Sequence, residues 1–254
     1  MIHALHGNAG LPEDLSGVLF CLNRPFKAWH LWRCLKEKPE CASLGGFASM
    51  LNDDATPGAD ILLGYSLGAR LALHALVQRP GHWRAAILVS PHPGLQSEAE
   101  REARKLQDKT WAGRFLNEPW HEVMADWNAQ PVLAGAAAGQ HVNESWRRQV
   151  AEAFDGWSLS RQQDLRPMLH SVTCPVLWVT GAHDRKFTAL AHEAWALLPR
   201  GRHAVIAEAG HRVHLDQPAT LIAESEKLLG SLDRETEEEL PGKRRCQDDV
   251  IGSQ

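Results

Sequence analysis

The segment that most narrows the possible folds is Gly64-Tyr65-Ser66-Leu67-Gly68. It lies between an apolar run, Ile61–Leu63, and a helical pattern, Leu67–Val77, that ends at Pro80-Gly81. A chain that passes from strand to helix within one residue must bend sharply, and small residues on both flanks let the backbone do so. Such a bend lifts the Ser66 hydroxyl above the edge of a sheet, where the N-terminal end of the following helix aims its free N–H groups. The same five-residue pattern also occurs as an ordinary tight turn. Here the apolar run before it and the helical run after it favour a nucleophile elbow.

The rest of the chain has the rhythm that such an elbow requires. Ile2–Leu5, Val18–Leu22, Ala85–Val89, Val176–Thr180 and His203–Ile206 read as short buried strands, and Leu221–Leu229 as a closing helix. Strands alternating with helices predict an α/β fold: a mostly parallel sheet flanked by helices. Between about residues 94 and 170 the strand rhythm stops. Ser97–Gln107, Trp111–Phe115, Trp120–Trp127 and Trp146–Phe154 read as helices, so this stretch is expected to be a helical lid inserted over the carboxyl edge of the sheet. Five of the 10 tryptophans (Trp111, Trp120, Trp127, Trp146 and Trp157) fall in it, most of them expected to form the lid's own small core. Residues 1–93 and 171–232 then make the core. Residues 233–254, charged and poor in apolar side chains, are an expected disordered tail.

Composition excludes several classes of function. The 254 residues are 44% hydrophobic, enough for one sizeable core, and the formal net charge of −4 offers no basic field for nucleic acid or anionic lipid. No stretch is apolar for long enough to cross a bilayer. The five cysteines are irregularly spaced without a CxxC pair, which suits free thiols and a cytoplasmic location. No metal-ligand spacing and no dinucleotide or phosphate-loop pattern is present, so no cofactor is expected.

A serine nucleophile needs a base, and the base needs an orienting acid. Among 14 histidines, His211 follows a strand and a glycine, with His214 as the nearest rival. Asp184 ends the Val176–Thr180 strand, which suits an acid partner; a loop-capping role and Asp216 are the alternatives. Ser66, Asp184 and His211 occur in the order of a strand-borne hydrolytic triad. The oxyanion donors are expected to be the backbone N–H groups of Leu67 and of Asn8, in the loop His6-Gly7-Asn8-Ala9-Gly10.

These segments resemble the α/β-hydrolase superfamily over nearly the whole chain. The run Ser90-Pro91-His92-Pro93-Gly94-Leu95-Gln96, then Arg114-Phe115-Leu116-Asn117-Glu118-Pro119 and Asp126-Trp127-Asn128-Ala129-Gln130-Pro131, is similar to the lid of the 2-succinyl-6-hydroxy-2,4-cyclohexadiene-1-carboxylate synthase family. Thr180-Gly181-Ala182-His183-Asp184-Arg185-Lys186-Phe187 and Gly210-His211-Arg212-Val213-His214 resemble that family's acid and base segments. The resemblance implies an α/β-hydrolase fold and an elimination in menaquinone synthesis, with His211 activating Ser66 as a base and pyruvate as the leaving group. It implies a small-molecule carboxylate substrate bound by Arg70, Arg104 and Trp127. The chain departs from the family in four places. Asn23–Trp29 lacks a Gly-His-Gly turn, Asn128 stands where the lid carries a tyrosine, and only Arg147 and Arg148 are loose candidates for a second lid arginine. The chain also begins almost at its oxyanion strand. A serine carboxylesterase or thioesterase working through an acyl-enzyme is the competing expectation, and a non-catalytic binding protein on the same fold a third. Oligomeric state is not legible.

Overall fold

A computed structural model describes residues 1–133 and 142–239. In chain order the elements are β1 (Ile2–Leu5), α1 (Ser16–Cys21), β2 (Phe26–Trp29), α2 (Leu31–Glu37), α3 (Leu44–Asp54), β3 (Ile61–Tyr65), α4 (Leu67–Gln78) and β4 (Ala85–Val89). Then follow α5 (Glu98–Asn117), α6 (Trp120–Asn128), α7 (Arg147–Gly156), β5 (Val176–Gly181), α8 (Arg185–Ala194), β6 (Gly201–Ile206), α9 (Val213–Asp216) and α10 (Pro218–Glu239). Among the described residues no helix is long and apolar enough to cross a membrane.

Among the described residues the six strands are all parallel, in the order β2-β1-β3-β4-β5-β6. Alternate residues of the buried central strands face opposite layers. Ala86, Leu88 and Trp178 join a core with α2, α3 and α4, while Ile87, Val89, Leu177 and Val179 pack with α1 and α10. The chain steps from β1 outward to β2 and then returns to add β3 on the other side. The crevice beyond the carboxyl ends of β1 and β3 is therefore the topological switch point. Leu5 is in register with Gly64, so the loop after β1 and the elbow after β3 leave the sheet as neighbours.

Two sequence expectations are corrected here. Val18–Leu22 is not a strand: Val18 and Leu19 belong to α1, and Phe20 and Cys21 on the same run are exposed. A five-residue apolar run cannot distinguish a short helix from a strand by period. The true second strand is Phe26–Trp29, an edge strand whose half-buried FKAW sequence carries little apolar signal. At the other end, α10 continues through Glu239, past the point where a disordered tail is expected to begin. Asp233 pairs there with Arg24 and, at 3.7 Å, with Arg84. The remainder of that tail, residues 240–254, lies outside the described residues.

Among the described residues between β4 and β5 lie the helices α5, α6 and α7 and no strand. The entry to α5 is fixed locally: Ser97 Oγ accepts the Glu100 N–H at 3.2 Å while the Glu100 carboxylate accepts the Ser97 N–H at 3.0 Å, a reciprocal cap. With no breaker between Gln107 and Trp111, the two expected helices there are one, the 20-residue α5. Phe115, Phe154, Trp111 and Trp127 interlock where α5, α6 and α7 meet, with ring centroids 5.1–6.0 Å apart.

Candidate active site

The elbow is as sharp as its glycines suggest. Ser66 has φ 51° and ψ −107°, a left-handed conformation held by its N–H bond to the Val89 carbonyl at 2.8 Å. A Cβ at Gly68 would lie 2.1 Å from the Leu5 carbonyl oxygen, and one at Gly64 would lie 2.7 Å from the Ala69 backbone. Glycine is required at both positions because β1 and α4 close directly on the turn.

The candidate acid, Asp184, and the candidate base, His211, arrive on two adjoining loops. A Cβ at Gly181, which ends β5, would sit 2.2 Å from the Gly210 carbonyl oxygen, so the loops carrying Asp184 and His211 touch through their backbones. His211 Nδ1 donates to Asp184 Oδ2 at 2.7 Å, and Ser66 Oγ donates to His211 Nε2 at 3.0 Å. Asp184 also accepts the Phe187 N–H at 3.2 Å, which caps α8, and the Phe187 ring lies 4.4 Å from that of His211. Both members of the acid–base pair are buried. The rivals are placed elsewhere. His214 packs on Tyr65 at 4.2 Å with no partner on Nδ1 among the described residues, and Asp216 accepts the Gly210 N–H at 2.8 Å.

Ser66 opens on a cavity of about 190 Å³ whose wall includes Arg70, Arg104, Trp127, Lys186 and Phe187. A second chamber of about 50 Å³ shares Ser66, Asn8, Trp127 and Leu133 with it and adds Tyr65, Asn128 and Arg212. Among the described residues, neither the Asn8 nor the Leu67 backbone N–H is bonded to a protein group. Arg70 is buried, yet its partners are neutral: Gln162 Oε1 at 2.6 Å and the Trp157 carbonyl at 2.9 Å. Burial, helped by Arg104, pushes its pKa down to about 9, so the guanidinium is still charged at neutral pH. Arg104 donates to the buried Asp108 at 2.7 Å, and Asp108 accepts the Ser158 hydroxyl at 2.6 Å. A polar cavity ringed by cations suits an anionic ligand.

The structure thus brings Ser66, Asp184, His211, Asn8, Leu67, Arg70, Arg104 and Trp127 around one cavity system. It does not bring the two loose lid arginines. Arg148 pairs with Glu152 at 3.0 Å, Arg147 with Glu144 at 3.2 Å, and neither lines the chambers. Two wall residues, and one that supports Arg70 from behind, were missed. Lys186 and Arg212 each stand within two positions of a triad residue, a signal that was available. Gln162 contacts Arg70 across 92 residues of sequence, and no local pattern announces it. Among the described residues no group of three His, Cys, Asp or Glu side chains is placed to hold a metal ion.

Several histidines near the site are held neutral. His6 donates from Nδ1 to the Gly7 carbonyl at 2.8 Å and accepts the Leu31 N–H on Nε2 at 3.1 Å. Burial pushes the pKa of His6 and His214 to about 3 and of His92 to about 2, from 6.5. Below about pH 6.5 the unfolded chain binds protons that the folded chain refuses. Stability is therefore full above that pH and falls as pH drops, by up to about 1.4 kcal/mol per unit for each such histidine. The expected result is a Tm that is level from about pH 8 to 7 and falls steeply from about pH 6 to 5. His214→Gln should make that fall shallower, whereas a Tm level down to pH 5 would contradict the account.

The alpha/beta hydrolase family model matches residues 28–224. The chain is 37% identical over 174 residues to the 2-succinyl-6-hydroxy-2,4-cyclohexadiene-1-carboxylate synthase of Citrobacter koseri, covering 66% of this chain and 67% of the relative. It is 38% identical over 176 residues to the enzyme of the same name from Klebsiella pneumoniae, covering 67% and 68%. The solved structure of MenH from S. aureus superposes with a TM-score of 0.76 at 18% identity, over 91% of this chain and 94% of that one, a likeness of fold. The chain is an enzyme of the alpha/beta hydrolase family and, within it, belongs with the 2-succinyl-6-hydroxy-2,4-cyclohexadiene-1-carboxylate synthases.

Proposed function

We propose that this enzyme eliminates pyruvate from a polycarboxylate cyclohexene to give 2-succinyl-6-hydroxy-2,4-cyclohexadiene-1-carboxylate. One observation carries the reading beyond the names of the relatives: the serine of a hydrogen-bonded triad opens on a cavity walled by Arg70, Arg104 and Lys186. In this mechanism His211 takes the Ser66 proton, and the Ser66 oxygen removes a ring C–H proton. The C–H electron pair becomes the new ring double bond, the C–O bond to the enolpyruvyl group breaks, and pyruvate leaves as its enolate, which takes up a proton. Asp184 steadies the imidazolium that forms on His211. Negative charge developing on the substrate is met by the N–H groups of Leu67 and Asn8.

Helices α5–α7, within residues 94–170, act as a lid on the core formed by residues 1–93 and 171–232, and contribute Arg104 and Trp127 to the substrate. The four described cysteines, Cys21, Cys34, Cys41 and Cys174, are unpaired, which supports a reducing, cytoplasmic setting.

The test is pyruvate release from the precursor generated in situ, run beside hydrolysis of an aryl acetate. Rapid pyruvate release with feeble ester turnover supports the lyase. Brisk ester hydrolysis through an acyl-enzyme, with no pyruvate, overturns it. Arg104→Ala is expected to raise KM for the polycarboxylate roughly tenfold or more. It removes a cation and also leaves the buried Asp108 carboxylate facing the ligand with, among the described residues, Ser158 as its remaining hydrogen-bond partner. An unchanged KM would remove Arg104 from substrate binding.

A further inference from the structure

Arg212 directly follows the triad histidine and opens α9, and its half-buried side chain lines the small chamber beside Ser66. Its guanidinium donates to Asn128 Oδ1 on α6, a neutral group. The Asn128 amide is fixed in turn, because its NH₂ donates to the Met124 carbonyl at 2.8 Å. Among the described residues Arg212 makes no ion pair, in contrast to Arg104 on Asp108 or Arg166 on Asp164 and Glu193. Of the three arginines on the two chambers, Arg70 and Arg212 are therefore the ones pre-positioned by neutral partners. A carboxylate, that of Asp14, also lines the small chamber, and its Oδ2 accepts the Leu11 N–H at 2.9 Å.

A guanidinium held rigidly by neutral acceptors, partly out of water, keeps its full charge for an incoming anion. The chamber's size limits what enters. About 50 Å³ holds roughly four water-sized groups, which is room for a carboxylate head and not for a ring.

We propose that Arg212 is a second carboxylate anchor and a specificity residue of the site. It receives one carboxylate of the substrate in the small chamber, while Arg70 and Arg104 face the carboxylates in the larger one. Ser66 lies on both chambers, so a molecule anionic at both ends is gripped on either side of the reacting carbon. This assignment rests on the polycarboxylate reading above.

The experiment compares Arg212→Gln, Arg212→Lys and Asn128→Ala in pyruvate release. Arg212→Gln is expected to raise KM at least tenfold with kcat within about threefold, and Arg212→Lys to recover part of that loss. Asn128→Ala, which breaks the tie between α6 and α9 but leaves the guanidinium, should raise KM no more than about a third as much. Equal losses in Asn128→Ala and Arg212→Gln would mean that Arg212 is only a lid fastener, and the proposal would fall. Should Arg212→Gln not fold, the KM of Arg212→Lys decides: within twofold of the parent, it overturns the proposal.

A second measurement is independent of turnover: the rate of Ser66 labelling by a carboxylate-bearing phosphonate divided by the rate with an uncharged one. Arg212→Gln should lower that ratio about tenfold, and an unchanged ratio overturns the proposal. If the parent enzyme releases no pyruvate, the polycarboxylate reading fails by itself, and the labelling ratio still decides the role of Arg212.

Discussion

Ser66→Ala is expected to lower pyruvate release by about 10⁴-fold or more while leaving the melting temperature within a degree or two of the parent. Activity should collapse because Ser66 Oγ is the atom bonded to His211 Nε2 at 3.0 Å and exposed to the cavity. Without it the imidazole has no group through which to reach the ring proton. Residual catalysis from the oxyanion donors and from binding sets the floor. Stability should hold because alanine faces the same left-handed φ of 51° as serine does, and the hydroxyl fills no packed space. The loss should fall on kcat with KM little changed, since the Oγ contributes more to the transition state than to the bound substrate. Pyruvate assayed through a coupled reductase, with a thermal melt of the same sample, checks both halves. A variant retaining a tenth of the activity would show that His211 acts on substrate directly, and Ser66 would lose its place as the base.

The proposed triad was legible as a cluster because each member sits where local chemistry marks the backbone. Gly64 and Gly68 are demanded by close approach of neighbouring chain, and Gly181 and Gly210 by the contact between the two loops that carry Asp184 and His211. Constraints of this kind leave their trace within a few residues of the catalytic group. The strands of the buried sheet were legible for a related reason, since residues covered on both faces form unbroken apolar runs. Edge strand β2 lacks that burial, and its Phe26-Lys27-Ala28-Trp29 sequence gives no such run. The mirror error was at Val18–Leu22, where a helix with one exposed flank imitates a strand. Helices α2, α3 and α8 were not singled out, since short segments lying among loops have few periods to display.

The cationic wall of the cavity was legible only in part, and the reason is distance along the chain. Arg104 is held locally by Asp108, four residues on, but what readies Arg70 and Arg212 is remote. Gln162 and the Trp157 carbonyl come to Arg70 from beyond α7, and Asn128 comes to Arg212 from α6, 84 residues away. Whether an arginine is a surface charge or a poised receptor depends on whether its partner is a carboxylate or a neutral amide. That partner is chosen by the tertiary fold, so residue type and spacing alone do not reveal it.

Asp184→Asn is the companion test, and it separates two functions that one carboxylate performs. Asp184 accepts the Phe187 N–H at 3.2 Å through Oδ1 and the His211 Nδ1–H at 2.7 Å through Oδ2. Asparagine keeps the first bond, being a good helix cap itself, so the melting temperature should change by no more than a few degrees. The second bond is inverted. An amide NH₂ facing Nδ1 favours the tautomer with the proton on Nε2, and that nitrogen then cannot accept the Ser66 proton. A fall in kcat of about 10³–10⁴-fold is expected, with KM little affected. Asp184→Ala should show the same loss of kcat plus a lower melting temperature, by about 1 kcal/mol of lost capping. Asp216→Asn is the control for assignment, since Asp216 holds the Gly210 N–H at 2.8 Å and supports the loop without touching the imidazole. If Asp216→Asn removed the activity and Asp184→Asn kept more than a tenth of it, the acid would have been assigned to the wrong loop.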